Sequence, residues 1–275
     1  NQALAGRFAY NYNYRYFVDF NFGYNGSENF AKGHRFGFFP AYSLAWNIAE
    51  EKIIKKHLKW MNMFKVRFSY GKVGNDNVGT RFPYLYTIAD RYKNGDNDKE
   101  NDQTKYYAGY NWATYGSNKS YNGLRYTKLA SNDITWEIAT KSDLGIDMAL
   151  FNDKFTATID YFDESRSGIY MERAFLPGMV GLDGNKPYAN VGEVNSKGFD
   201  GNFSYKQKIS DVKFTVRGNI TYSKNEIIER DEENNVYAYQ MKKGYRVNQN
   251  RGLIALGLFK DYDDIRNSPT PKYGP

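Results

Sequence analysis

The sequence predicts an all-β fold: an antiparallel up-and-down transmembrane β-barrel sector of about 8 to 10 strands, part of a larger barrel. Three observations carry this expectation. Apolar and polar residues alternate with a period of two over many segments, short and extended connections alternate between those segments, and the chain is aromatic yet polar on average. Of 275 residues 18% are aromatic, with 26 Tyr and 19 Phe, while only 41% are hydrophobic and mean hydropathy is -0.76. Strands that are half apolar and half polar, with amphipathic rings at a water boundary, meet these conditions better than an aliphatic core does.

The clearest hairpin is Lys141 to Phe162. Leu144, Ile146, Met148 and Leu150 share one face of its first arm, opposite Asp143, Gly145, Asp147 and Ala149, the period expected of a strand. Phe155, Ala157, Ile159 and Tyr161 repeat the pattern against Thr156, Thr158 and Asp160. Asn152-Asp153 supplies residues that tolerate a left-handed turn. The apolar face requires a broad, dry partner, either a second sheet, as in a sandwich, or lipid.

Taken in order, the chain begins with a strand from Leu4 to Tyr12, a polar turn at 13–15, and a second strand in which Tyr16, Val18, Phe20, Phe22 and Tyr24 share a face. A third strand follows from Phe36, with Pro40 inside it. Lacking a backbone donor, Pro40 is expected at a strand start, edge or bulge, so that bonded pairing begins only after it. The period then changes over 49–62, which predicts a helical turn, before Phe64, Val66, Phe68 and Tyr70 alternate with Lys65, Arg67, Ser69 and Gly71. Residues 73–133 form a Gly-, Asn-, Asp- and Tyr-rich stretch, too long for an unstructured loop in a compact domain and expected to hold short hairpins of its own. After the 141–162 hairpin, a polar segment at 165–196 leads to a last pair of strands, 199–206 and 212–222, joined at 208–210. The apolar patch Gly252 to Phe259 is a candidate further strand.

Every second connection is therefore brief and the others are extended. That sorting matches an outer-membrane barrel, whose short turns and long loops lie at opposite ends; a sandwich seldom produces it. Tyr10, Tyr12, Tyr16, Trp46 and Tyr205 fall near the short-turn ends, and Tyr24, Phe36, Tyr70 and Tyr222 near the long-loop ends, as aromatic girdles would. Charged and bulky polar residues on the opposite face suit a wide, watery lumen.

Composition excludes several alternatives. There is no Cys, which removes disulfides, thiol catalysis and cysteine metal sites. No apolar run is long enough for a membrane helix, a test that barrel strands escape. The net charge of +7 is spread along the chain without a nucleic-acid recognition motif, so no nucleic acid is expected as a partner. Beginning at Asn1 with no signal peptide, the chain reads as a piece of a longer protein.

With these residues laid out, the sequence resembles the SusC/RagA family of TonB-dependent outer-membrane transporters of Bacteroidetes. The likeness lies in Leu4 to Tyr12 with Tyr14-Arg-Tyr16, Gly37 to Trp46, Lys65 to Gly71 followed by Gly74-Asn-Asp-Asn-Val78, and Ile134-Thr-Trp-Glu137. It continues through Leu144-Gly-Ile-Asp147, Leu150 to Phe155, Asp160-Tyr-Phe162, Asn190-Val-Gly192 with Asn195 to Gly198, and Gly257-Leu-Phe259, in order across nearly the whole chain. The resemblance implies a barrel of about 22 strands with an amino-terminal plug, energised by TonB and capped by a SusD-like surface lipoprotein that captures glycan or peptide ligands. Residues 1–275 would be one partial barrel domain in the outer membrane, without plug, signal peptide or TonB box. No cofactor and no enzymatic activity are implied.

Among candidate site residues, Tyr106, Tyr107, Tyr110, Trp112 and Tyr115 crowd one long connection, where flat rings would stack on sugar faces or meet a lipoprotein; packing within a loop hairpin is the competing reading. Lys65, Arg67, Asp147, Asp160 and Arg217 are expected to face the lumen, contacting the plug or simply hydrated. Asp160 and Glu164 lie roughly 13 Å apart along a strand, too far for a glycosidase pair. His34 and His57 sit in connections at opposite ends of the sheet and cannot share a metal. The acidic runs 231–233 and 261–264 lack the spacing of a calcium hand and read as solvated turns. The competing function class is a secreted or surface-attached β-rich carbohydrate-binding or adhesion protein, which requires a second sheet over Phe20, Phe22, Leu44, Phe68, Ile146 and Ile159.

Overall fold

A computed structural model describes residues 2–90, 109–110, 121–122, 124–174, 186–233, 237–252, 254–255 and 257–269; within 88–128 only the backbone is considered. The strands among these residues are β1 Gln2–Tyr12, β2 Tyr16–Gly26, β3 Phe36–Asn47, β4 Met61–Asn75, β5 Thr87–Asp90, β6 Gly109–Tyr110, β7 Tyr121–Asn122, β8 Leu124–Lys128, β9 Glu137–Leu150, β10 Phe155–Glu172, β11 Tyr188–Ile209 and β12 Val212–Glu229. Eight of them form one sheet in the order β1-β2-β3-β4-β9-β10-β11-β12. Every neighbouring pair is antiparallel. β5 pairs with β8 and β6 with β7 inside the long connection, where short hairpins were expected.

Chain order equals spatial order, so each connection joins adjacent strand ends. Asn13 and Tyr14 close the first turn with φ of 49° and 54°, the left-handed values that match the twist of flanking strands. Phe151, Asn152 and Asp153 all have positive φ, and the Phe151 amide donates to the Trp60 carbonyl at 2.6 Å. A short 3-10 turn, Ile48–Glu50, and α1, Lys52–His57, bridge β3 and β4. These connections and the tight turn at 210–211 lie at one end. The strand ends joined by the connections 27–35, 76–136 and 173–187 lie at the other.

The third strand departs from expectation. β3 pairs with β2 from Phe36 to Trp46, including Phe22 opposite Pro40, whereas its ladder to β4 starts only at Ala41 opposite Gly71. The missing donor of Pro40 thus interrupts one side of the strand and leaves the other intact. β10 and β11 also run much further than the predicted hairpins. The segment 165–196, expected to be a connection, supplies paired strand to Glu172 and from Tyr188. Beyond the apolar band both faces are wet, so the alternation that marks a strand in sequence is lost there although pairing continues. In the predicted strand at 252–259 the described residues carry no regular structure, and a helix follows instead, α2 Tyr262–Asn267, capped by Asp261 accepting from the Asp264 amide at 2.8 Å.

A compact cluster of buried side chains sits at the long-connection end. Phe30, Phe39, Val78, Ile134 and Trp136 pack together, with the Trp136 ring 5.3 Å from Phe30 and 5.1 Å from Phe39. The Trp136 indole donates to the Arg35 carbonyl at 3.2 Å. Gly37 and Gly74 leave space for the Phe39 ring, which a Cβ at either position would strike. Ser27 donates to Asp76 at 2.6 Å and the Asn29 amide to the Asp76 carbonyl at 3.1 Å. The Gly74 to Val78 motif therefore staples the 27–35 connection to the end of β4.

Candidate functional site

The sheet presents two unlike faces. On one, Leu4, Phe8, Tyr10 and Tyr12 of β1 continue through Val18, Phe20, Leu44, Phe68, Leu144, Ile159, Phe199, Phe203, Val216 and Ile220, all exposed. Phe20 is 39% exposed, Ile159 49% and Leu44 53%. Among the described residues no second sheet covers this face, contrary to what a sandwich requires.

Register gives the band its slope. The row Tyr12, Tyr16, Trp46, Val66, Ile146, Ile159, Gly201, Ile220 crosses all eight strands. Tyr12 is the last outward residue at the short-turn end of β1, but on β12 the apolar face continues eight residues past Ile220 to Val212. At about 3.3 Å per residue and 4.8 Å between strands, this slip over seven intervals tilts the strands by about 38° from the normal to the band. Val212 to Tyr222 then projects to a height of about 26 Å. Both values match those of membrane barrels, tilted by about 35–45° with an apolar band roughly 25 Å tall. Stacked rings line the short-turn margin: Tyr12 on Tyr16 and Tyr16 on Trp46, each at 6.5 Å. The Glu51 carboxylate receives the Tyr16 hydroxyl at 2.7 Å and the Trp46 indole N–H at 3.2 Å, with Arg15 3.4 Å away. These donors hold its pKa below the ordinary glutamate range, the Tyr16 hydrogen bond most strongly.

The opposite face is polar, and several of its charges are paired. Arg7 Nε donates to Asp19 at 3.0 Å. Lys65 Nζ lies 5.1 Å above the Phe17 ring. Arg67 reaches three carboxylates, Asp147 at 3.2 Å, Asp143 at 3.4 Å and Asp160 at 2.5 Å. Register explains this cross: Arg67, Gly145 and Asp160 stand in one row over β4, β9 and β10, and Asp143 and Asp147 flank Gly145 on the same face. The guanidinium lies over Gly145, whose missing Cβ would come within 2.6 Å of Arg67 Cζ. Further along, Glu164 binds Arg166 at 2.8 Å and Lys141 at 3.1 Å, and Arg166 reaches Glu137 at 3.3 Å. A depression of about 460 Å³ opens on this face beside Arg7, Asp19, Ser43, Lys65, Arg67 and Asp143. Arg217 lines another with Thr156, Ser204 and Lys206.

All five residues expected on the lumen side thus lie on the polar face, and the structure brings Arg67, Asp147 and Asp160 into contact. Asp143 and Gly145 belong to the same constellation and were not singled out. Alternation alone placed them on the right face, but the β4 to β9 register that brings Arg67 over Gly145 spans the long connection and is not local. Asp160 and Glu164 enter separate ion-pair groups, and His34 and His57 lie at opposite ends of the sheet. Asp231 accepts from Arg173 at 2.7 Å and from the Ala174 amide at 3.0 Å. No group of metal-ligating side chains occurs among the described residues. Tyr106, Tyr107, Trp112 and Tyr115 lie outside the described residues, as does the side chain of Tyr110, whose backbone belongs to β6.

An open up-and-down sheet with an uncovered apolar band, a paired polar face and barrel-like tilt defines a wall sector of a membrane β-barrel. The profile of the family described as "TonB dependent receptor-like, beta-barrel" matches residues 1–271, and the chain belongs to that family, whose barrels are of the outer-membrane type. TonB-dependent receptor P3 of Formosa agariphila is 27% identical over 270 residues, 95% of this chain and 24% of that protein. TonB-dependent receptor SusC of Bacteroides thetaiotaomicron is 26% identical over 226 residues, 81% of this chain and 20% of that protein. Among solved structures, the RagAB peptide importer in its closed-closed state superposes with a TM-score of 0.67 at 18% identity, covering 88% of this chain and 24% of that one. The chain spans about a quarter or less of the length of these relatives. They are receptors and an importer, not enzymes.

Proposed function

We propose that the chain forms part of the wall of a SusC-type nutrient importer in the outer membrane. Its apolar band meets lipid, its polar face lines the lumen, and the long connections lie outside the cell, which sets the 151–154 turn at the periplasmic rim. The uncovered, tilted apolar band carries this reading, because lipid is the partner such a surface fits. Its ligand would be a glycan or oligosaccharide, as the family resemblance of the sequence implies, or a peptide, which RagAB imports. It would be delivered by a SusD-like lipoprotein, with energy supplied by TonB through a plug. Lys65, Arg67, Asp147, Asp160 and Arg217 would meet plug or lumen water, and Tyr106, Tyr107, Tyr110, Trp112 and Tyr115 would meet ligand or lipoprotein.

The test is fractionation of the full-length parent protein, with affinity capture of what accompanies it. Recovery in the outer-membrane fraction, solubility only in detergent and a co-purifying surface lipoprotein are expected. A monomer soluble without detergent overturns the reading. Loss of uptake of one nutrient on replacing the five loop aromatics by Ala, with membrane insertion intact, would separate ligand contact from packing.

A further inference from the structure

On the polar face Arg7, Arg67 and Arg166 are matched by carboxylates; on the outward face a pair of lysines is not. Phe199 and Tyr222, directly opposed and stacked at 5.7 Å, end the apolar band on β11 and β12. One outward position further, Lys197 stands directly opposite Lys224. Both side chains are exposed, and neither forms an ion pair with another described residue. Like charges opposed across a ladder are destabilising, so this pair calls for an anion. Asp163, opposite Lys197 on β10, accepts from the Asn195 amide at 3.1 Å and forms no ion pair with either lysine. Lys72 holds the equivalent outward place on β4, just past Tyr70.

The two lysines open onto a depression of about 350 Å³ that also includes Glu193, Asn195, Glu226 and Ile228. Its lysine end borders the apolar band, and its carboxylates lie farther out. A ligand that fits has a hydrocarbon part against Phe199 and Tyr222, a phosphate at the membrane surface, and hydroxyl-bearing groups beyond it that donate to Glu193 and Glu226. We propose that Lys197 and Lys224 bind the phosphate of an anionic, sugar-bearing lipid headgroup in the leaflet at the long-connection end. This rests on the membrane-barrel reading above.

The test uses the full-length receptor reconstituted in phosphatidylcholine vesicles containing a minor fraction of lipid A, followed by quantification of the lipid A retained on the extracted protein. Two lysines at an anionic surface correspond to a preference of about 30-fold. Lys197→Gln with Lys224→Gln should abolish most of that preference, whereas Lys206→Gln on the polar face should leave it unchanged. Equal retention by the double variant and the wild type overturns the proposal. A second measurement needs only the wild type: retention should fall for lipid A stripped of its phosphates, and equal retention of the two forms also overturns it. Inorganic phosphate added in excess should displace little lipid A, since the hydrocarbon contact is retained; full displacement would identify a plain anion site and refute the lipid assignment. A receptor that stays in water without detergent refutes the barrel itself, an outcome distinct from any of these.

Discussion

Replacement of Arg67 by Gln tests whether register, rather than general polarity, organises the charges of the polar face. The substitution leaves Asp143, Asp147 and Asp160 facing one another around Gly145 with their shared cation gone. The Arg67 side chain is 33% exposed, so each pair is screened and contributes on the scale of half-wet ion pairs, about 0.2–1 kcal/mol. Three such pairs, with some overlap, give a loss of about 1–2 kcal/mol. The full-length receptor can be followed by the temperature at which its folded electrophoretic mobility is lost in mild detergent. Arg67→Gln should lower that temperature by a few degrees, and adding Asp160→Asn should restore part of the loss, because it removes one of the uncompensated charges. Gly145→Ala should resemble Arg67→Gln without changing any charge, since its Cβ enters the space of the guanidinium. If Asp160→Asn is as destabilising in the Gln background as in the wild type, the two side chains are not coupled and the constellation is incidental.

Other expectations follow from the faces and the ends of the sheet. Phe20→Lys, at the middle of the band on β2, should cost about 2–4 kcal/mol and sharply reduce folded receptor in the membrane. Asn21→Lys, next to it on the polar face, should be nearly neutral, and equal losses for both would refute the facial assignment. Trp136→Ala should cost about 3–5 kcal/mol and open the 27–35 connection to limited proteolysis. Trp136→Phe, which loses the hydrogen bond to Arg35, should cost about 1–2 kcal/mol. Glu51 has a depressed pKa in the folded state, so its contribution is complete above the ordinary glutamate pKa and is lost as pH falls through the folded value. Tryptophan fluorescence should therefore change on acidification in the wild type, and that component should be missing in Glu51→Gln.

The strands inside the apolar band were legible because one face is greasy and the other wet, which writes period two into residues such as 144–150 and 155–161. The tight turns were legible for a related reason, since Asn13 and Asn152-Asp153 tolerate positive φ. The outer halves of β10 and β11 were not, because water on both faces removes the alternation while the ladder persists. Pro40 was legible as an obstacle, but which neighbour it would disturb depended on the sheet. The Arg67 constellation was half legible: alternation placed each member on a face, and only the pairing of β4 with β9 brought them together. Trp136, which the sequence shows only within the stretch Ile134 to Glu137, is a buried anchor because the 27–35 connection folds over it.

The slip of the registers, about one residue per strand on average over the eight strands, has a consequence for assembly. A sheet that advances about one residue with each added strand keeps the same inclination however many strands are added, since tilt depends on the ratio of shear to strand number and width on the number itself. The geometry by which this wall meets the bilayer is therefore a local property, repeated hairpin by hairpin. Added hairpins that keep the same slip would change the bore of the pore and leave its pitch as it is.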